Sequence, residues 1–245
     1  IEYELSYPDG RREVIRVEKA LLAIGRVPNI EGIGMEAAGV SMSKRGRHIG
    51  DDDTQTNIPN IFVAGDASGR IALVNMGELE ARHAVERMFG GKHERLSYDN
   101  VSTIMFLQPE VASVGLNEKQ AKEAGINFRV AKIDYSCISR AIAMRKTEGF
   151  FKILVSDDDD MRILGMRAIG EHASSAIQAV ALLIQMNKGI RELAELVHPH
   201  PSIIEGIQEC ARMLLNKSVF KSSVFKDKLQ CYRCVDDQCI PLQRL

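Results

Sequence analysis

Neither sign of charge dominates this sequence: Lys and Arg total 32 against 33 for Asp and Glu over 245 residues, a net charge of −1. Without a basic stripe there is no footprint for nucleic acid or for an anionic membrane surface, so neither is an expected partner, and small molecules or protein are. Long apolar runs are missing too. None approaches the roughly 20 residues needed to span a bilayer, and the first residues lack the charged-then-apolar plan of an export signal, so a cytoplasmic location is expected. There is no initiator Met; the chain opens on "IEYELSYPDG", in the middle of an alternating pattern, as a fragment would. Cysteines number only 5, with Cys137 and Cys210 isolated and Cys231, Cys234 and Cys239 close together near the end. An odd count with no export signal argues against a structural disulfide framework. No internal repeat or low-complexity segment occurs.

What is present suggests two units, since domains commonly run to about 100–150 residues. "IEYELSYPDGRREVIRVEKALLAIG" reads as two alternating strands around a Pro-Asp-Gly turn, followed by a third apolar strand ending at Gly25. Residues 26–56 are turn-rich. "IPNIFVAGD" then supplies a short buried strand ending at Gly65 and Asp66, and "LVNMGELEARHAVERMF" has helical periodicity. A boundary is expected near Tyr98, giving units at 1–98 and 99–215 and a Cys-containing tail at 216–245. In the second unit "EVASVGL" and "INFRVAKIDY" read as strands on either side of a short helix, with Asn117 as its N-cap and Gly125 as its stop. "GFFKILVSDDDDMRILGMRAIG" reads as a hairpin with an acidic turn at 157–160. Helical patterns follow in "ASSAIQAVALLIQMNKG", "IRELAEL" and "SIIEGIQECARMLL". A sheet followed by gathered helices is an α+β domain.

Four stretches could carry chemistry. "GIGMEA", residues 32–37, fits the G-x-G-x-x-G/A spacing of a dinucleotide loop, but it follows the turn "RVPNIE" rather than a buried strand, so an ordinary loop is expected. "IFVAGDASG" has better context: a strand would deliver Asp66 at its carboxyl end, where ligands of α/β folds bind and a carboxylate can accept from sugar-like hydroxyls. A plain strand-end turn fits the same letters. In "HPHPSIIEG" Ser202 and Glu205 have capping-box spacing, while His200, held by prolines, and Glu205 also have the spacing of a base with an orienting carboxylate. Both readings stand on pattern alone, and His198 is assigned to shaping the loop. "CYRCVDDQC" could be an exchangeable thiol pair, or a metal shell completed by Asp236, Asp237 or a second chain; the expectation is a flexible tail with unreacted thiols.

Taken in order, "ALLAIGRVPN", "TNIPNIFVAGDASG", "FLQPEVASVGLNEKQAKEAG", "GFFKILV", "RILGMRAIG" and "HPHPSIIEG" resemble landmarks of the flavin-dependent pyridine nucleotide–disulfide oxidoreductases, the family of dihydrolipoamide dehydrogenase, glutathione reductase and mercuric reductase. The resemblance covers nearly the whole chain. It implies an α+β dimerisation domain preceded by the C-terminal part of an α/β FAD- and NAD(P)-binding region. It places Gly65 and Asp66 at the flavin ribityl chain, the backbone of Ala72, Leu73 and Val74 beside the isoalloxazine, and His200 and Glu205 on the acid–base pair that serves the partner subunit of a homodimer. The family's flavin-binding glycine loop, redox-active C-x4-C and nicotinamide-binding glycines are not found here, so the resemblance implies a missing N-terminal half holding the redox-active Cys pair. FAD and NAD(P) are expected in the intact enzyme and need not be bound by this chain alone. "HPHPS", with its second histidine, looks most like dihydrolipoamide dehydrogenase and a lipoyl or small disulfide substrate, whereas similar mercuric reductases carry tyrosine in place of His200. The cysteines near the end leave open a mercuric- or other disulfide-reductase-like enzyme, or a non-catalytic dimerisation or metal-binding module.

Overall fold

A computed structural model describes residues 1–42, 54–90, 94–220, 224–225, 227–236 and 238–242. Asp237 and the whole of the charged run at 43–53 therefore lie outside the described residues. The chain forms two units, residues 1–96 and residues 97–245.

In the first unit β1 (Glu2–Ser6) and β2 (Arg12–Arg16) pair antiparallel, with Glu2 opposite Arg16 and Glu4 opposite Arg12. Both cross-strand couples are ion pairs, at 2.8 and 3.1 Å. The expected Pro-Asp-Gly turn forms: Gly10 adopts φ 84°, and Asp9 accepts from the Arg11 amide at 3.0 Å. The expected third strand does not form. Leu21, Leu22, Ile24 and Val27 are 91%, 83%, 94% and 86% exposed, because a strand exists only where a neighbour takes its N–H and C=O groups and no described strand of this unit pairs with the segment. The "GIGMEA" stretch is a run of turns.

A second correction concerns residues 58–66. They make only one isolated bridge, Gln55 with Phe62, rather than a strand. Pro59 has no N–H to give to a ladder, and the Ile61 amide turns back onto the Ile58 carbonyl at 3.0 Å. The chain then enters a 3-10 turn, Gly65–Ser68, and the amphipathic helix α1 (Val74–Met88), which buries Met76, Glu80, His83 and Ala84 at helical spacing.

Among the described residues the second unit is built on a seven-stranded, wholly antiparallel sheet. In chain order its elements are β3 (Thr103–Met105), β4 (Val111–Gly115), α2 (Glu118–Glu123), β5 (Phe128–Asp134), a 3-10 turn at Tyr135–Cys137, and α3 (Ser139–Ala143). After them come β6 (Phe150–Ser156), β7 (Ile163–Ile169), α4 (Ala173–Ala176), α5 (Gln178–Gln185), α6 (Ile190–Glu195), α7 (Glu205–Leu214), β8 (Leu229–Val235) and β9 (Gln238–Pro241). Across the sheet the order is β3-β4-β7-β6-β5-β8-β9.

Alternation along the strands sorts side chains between two cores. Ile133, Phe151, Ile153 and Met166 join residues of the later helices, including Val180, Leu193, Ile207 and Ala211, in the larger core. Val130 and Leu154, one residue out of phase, pack with Ala121 of α2 and with Cys234 in a smaller one. Asn117 caps α2 through a complete capping box with Gln120, and Gly125 at φ 66° ends it, as the sequence predicts.

The expectation of a flexible, thiol-bearing tail does not hold. Strand β8 pairs with β5, Cys231 opposite Ala131 and Cys234 opposite Phe128, and buries Leu229, Cys231 and Cys234. Two polar networks secure it. The nearly buried Asp157 carboxylate accepts from Nε of Arg129 at 2.7 Å and from Nε of Arg233 at 2.6 Å, and Glu118 accepts from the Tyr232 hydroxyl at 3.1 Å and from Lys152 at 2.5 Å. Cys234 and Cys239 form a disulfide across the β8–β9 pair. That leaves Cys231 as the one free thiol of the three, and among the described residues no cluster of three donors for a metal is found.

Candidate active site

Helix α6 ends at Glu195 with Leu196 as its C-cap, and nine residues after Leu196 α7 opens on Glu205. Between them "VHPHPS" leaves helix, since Pro fixes φ and disfavours helix in the residue before it, and the chain bends at His200 and Pro201. Glu205 then gathers the segment. One carboxylate oxygen, Oε1, lies 2.8 Å from Nδ1 of His200, and the other, Oε2, accepts the Ser202 backbone N–H at 2.8 Å. Both expectations for Glu205 thus meet in one group, but the capping box is only half formed. Helix α7 takes Ile204 as its N-cap, and the Ser202 hydroxyl is buried without a hydrogen-bond partner.

A carboxylate accepts and cannot donate, so Nδ1 of His200 carries the proton and Nε2 is left as the basic nitrogen. The imidazole is 70% exposed while the Glu205 side chain is 27% exposed. Burial alone would push the Glu205 carboxyl up; the Ser202 N–H and the His200 contact outweigh it and hold the group below the usual carboxylate range. Glu205 is therefore an anion at neutral pH, set against an imidazole whose other nitrogen faces outward. Such a pair can take a proton at Nε2 and stabilise the resulting imidazolium.

The free thiols of this chain are poor nucleophiles by comparison. Burial is the first cause of a raised pKa at Cys137, at Cys210 and at Cys231, the last pushed up to about 11.

In the first unit Gly65, at φ 70°, opens the short turn that displays Asp66. The fully buried Glu80 of α1 accepts the Gly65 N–H at 2.7 Å, which ties the turn to the helix. A Cβ on Gly77 would come within 3.1 Å of the Gly65 Cα, so glycine at 77 permits this approach. The Asp66 side chain is 57% exposed, with Arg26 at 3.7 Å. Ala72 precedes the N-cap Leu73, which gives no side-chain cap to α1, and Val74 is 82% exposed. An exposed carboxylate can accept hydrogen bonds from hydroxyl groups, and the uncapped N–H groups of the helix start can donate to a ligand's acceptor atoms.

Residues 2–81 match a family model described as pyridine nucleotide-disulphide oxidoreductase, and residues 101–211 match the model for the dimerisation domain of the same proteins. The chain belongs to this family of oxidoreductases. Dihydrolipoyl dehydrogenase of Schizosaccharomyces pombe mitochondria is 35% identical over 210 residues, covering 85% of this chain and 41% of that protein. A mercuric reductase of Lysinibacillus sphaericus is 32% identical over 215 residues, covering 88% and 39%. Among solved structures, LpdA of Mycobacterium tuberculosis superimposes with a TM-score of 0.75 at 26% identity over 86% of this chain and 45% of its own. The HOCl-induced flavoprotein disulfide reductase RclA of Escherichia coli gives 0.70 at 25% identity over 83% and 48%. The chain therefore spans less than half the length of each of these relatives.

In this chain the structure brings His200 and Glu205 into direct contact, and it sets Gly65, Asp66, Ala72, Leu73 and Val74 around one turn and helix start of the first unit. Sequence reasoning missed Glu80 and Gly77, which hold and admit the Gly65 turn, and Gln208, which donates to the Leu196 carbonyl. Glu80 carries a legible signal: a carboxylate on the apolar stripe of α1, among Met76, His83 and Ala84, must have a buried partner.

Proposed function

We propose that this chain is the carboxyl-terminal region of an FAD- and NAD(P)H-dependent disulfide oxidoreductase, most like dihydrolipoamide dehydrogenase, in which His200 and Glu205 are the acid–base pair of the dithiol step. The contact between His200 Nδ1 and Glu205 at 2.8 Å carries the reading. With its tautomer fixed from behind, Nε2 takes the proton of a substrate thiol as the thiolate attacks, and the Glu205 carboxylate stabilises the imidazolium until the proton is returned. Glutamate is better suited to this than a neutral partner, because the charge it faces exists only after proton transfer.

The reacting sulfurs come from elsewhere. Cys137, Cys210 and Cys231 are buried with raised pKa values, and Cys234 is joined to Cys239. An exposed base beside Leu196 and Val197, which are 52% and 90% exposed, fits a pair that completes a partner subunit's active site in a homodimer. Flavin fits the residues present in part: Asp66 would accept ribityl hydroxyls, and the backbone at Ala72, Leu73 and Val74 would lie beside the ring. When bound, the flavin supplies the two-electron path between nicotinamide and disulfide. The second histidine in "HPHPS" favours a lipoyl or small disulfide over a metal ion as substrate.

The test is made on the intact enzyme. His200→Gln is expected to slow the dithiol half-reaction by about 10²- to 10⁴-fold while flavin content and subunit association stay at parental levels. Parental rates in that variant would remove His200 from the mechanism, and a well-folded monomer at micromolar concentration would remove the shared site.

A further inference from the structure

The loop that carries His200 is gripped at a second point, away from Glu205. The Leu196 carbonyl lies 2.9 Å from Nδ1 of His198 and accepts from Nε2 of Gln208 at 3.1 Å. A carbonyl offers only lone pairs, so Nδ1 of His198 carries its proton there, and both donors converge on one oxygen. Gln208 follows Glu205 by three positions on α7, which puts the two on one face of the helix. That face therefore holds the loop at Leu196 through Gln208, and at His200 and Ser202 through Glu205.

We propose that Gln208, with His198, is a positioning latch: it closes the start of the loop onto α7 and so confines His200 to the one placement in which Glu205 can hold Nδ1. The proposal rests on the acid–base reading of His200 for its effect on rate, but the latch itself is a property of the loop. Glu205 fixes the orientation of the ring only while the backbone of residues 197–200 keeps within reach. The prolines stiffen that stretch without tying it to anything. The Leu196 carbonyl is the tie, and Gln208 reaches back twelve residues to make it. His198 makes the shorter span from within the loop. This gives the first histidine of "HPHPS" a role separate from proton transfer at the second.

Two substitutions separate donation from bulk. Gln208→Met keeps length and helix preference but has no donor, whereas Gln208→Arg keeps a long donor. In the 245-residue chain, Gln208→Met should speed amide exchange at 197, 198 and 200 by about fivefold, the factor equivalent to one neutral hydrogen bond, with little change in the urea midpoint. The Glu205 carboxyl, followed by carbon NMR, should titrate at higher pH than in the parent as its His200 contact loosens. Gln208→Arg should return both readouts toward parental values. Parental exchange and titration in Gln208→Met, or an Arg variant that behaves like Met, would overturn the latch. In the intact enzyme the Met variant should lower kcat for the dithiol step with KM nearly unchanged. A loosened loop with a parental rate would overturn the positioning role, and parental rates in His200→Gln would place the fault in the acid–base reading instead.

Discussion

Replacing Gly206 by alanine pits two effects of opposite sign against each other, and the structure decides between them. Gly206 is the buried second residue of α7, adjacent to Glu205. Helix propensity alone says that alanine should stabilise by up to about 1 kcal/mol. The added Cβ, however, would lie 2.5 Å from Cδ1 and 3.1 Å from Cγ1 of Ile138, and 2.8 Å from the Phe151 ring. Carbon atoms pack at about 3.5–4.0 Å, so something must move. Ile138 is 3% exposed, and Phe151 is 0% exposed with its ring 4.9 Å from that of Tyr135, so neither has free space. Overpacking of this kind costs about 1–3 kcal/mol, and the net expectation is a loss of about 1 kcal/mol. Urea unfolding of parent, Gly206→Ala, Ile138→Val and the double variant measures it. Valine at 138 removes the Cδ1 that collides, so the double variant should be more stable than the sum of the singles predicts, by about 1 kcal/mol. A Gly206→Ala chain as stable as the parent, or strict additivity, would refute the argument that α7 needs a bare backbone to seat Glu205.

Two further outcomes test the corrected view of the last residues. Reducing the Cys234–Cys239 disulfide, whose sequence separation is 5, should cost about 2 kcal/mol by loop-closure entropy, with faster amide exchange confined to β8 and β9; unchanged exchange there would leave the disulfide without a structural role. Asp157→Ala leaves two guanidinium groups without their shared acceptor, and because Arg129 and Arg233 are 22% and 44% exposed the loss should be modest, about 1–2 kcal/mol in urea unfolding. Asp159→Ala is the control from the same acidic turn, and equal effects would show that Asp157 acts only through the turn's charge.

Where pattern and packing agree, the sequence was easily read. The strand-forming runs "FRVAKID" and "FFKILVS", the Asn117 cap and the stripe of α1 each point to one structure, and each is found. The misses have separate physical causes. Residues 20–25 have every letter of a strand, but strand formation depends on a neighbour's hydrogen-bonding edge, which a sequence pattern does not contain. The segment at 58–66 has the apolar letters and is broken by Pro59 and by its own turn. In "LQCYRCV" the cysteines drew attention as chemistry, when Cys231 and Cys234 act in the fold as small apolar side chains facing two cores. At the candidate site, the contact between His200 and Glu205 was legible because their spacing across a helix start lets an imidazole meet a carboxylate. Gln208 was not, because a glutamine on an exposed helix face is ordinary until the carbonyl it reaches is known.

Strand β9 gives the sheet a finished border. Any terminal strand of an open sheet presents unpaired amides and carbonyls to other chains, which is an invitation to edge-to-edge aggregation. Here the strand at that position is only four residues long, exposed throughout, ends in Pro241 and is fastened to its neighbour by sulfur. Were it stripped away, the open margin would pass to β8, a seven-residue strand with Leu229, Cys231 and Cys234 facing inward. Colloidal behaviour of this chain therefore depends on a short stretch that contributes almost nothing to its core.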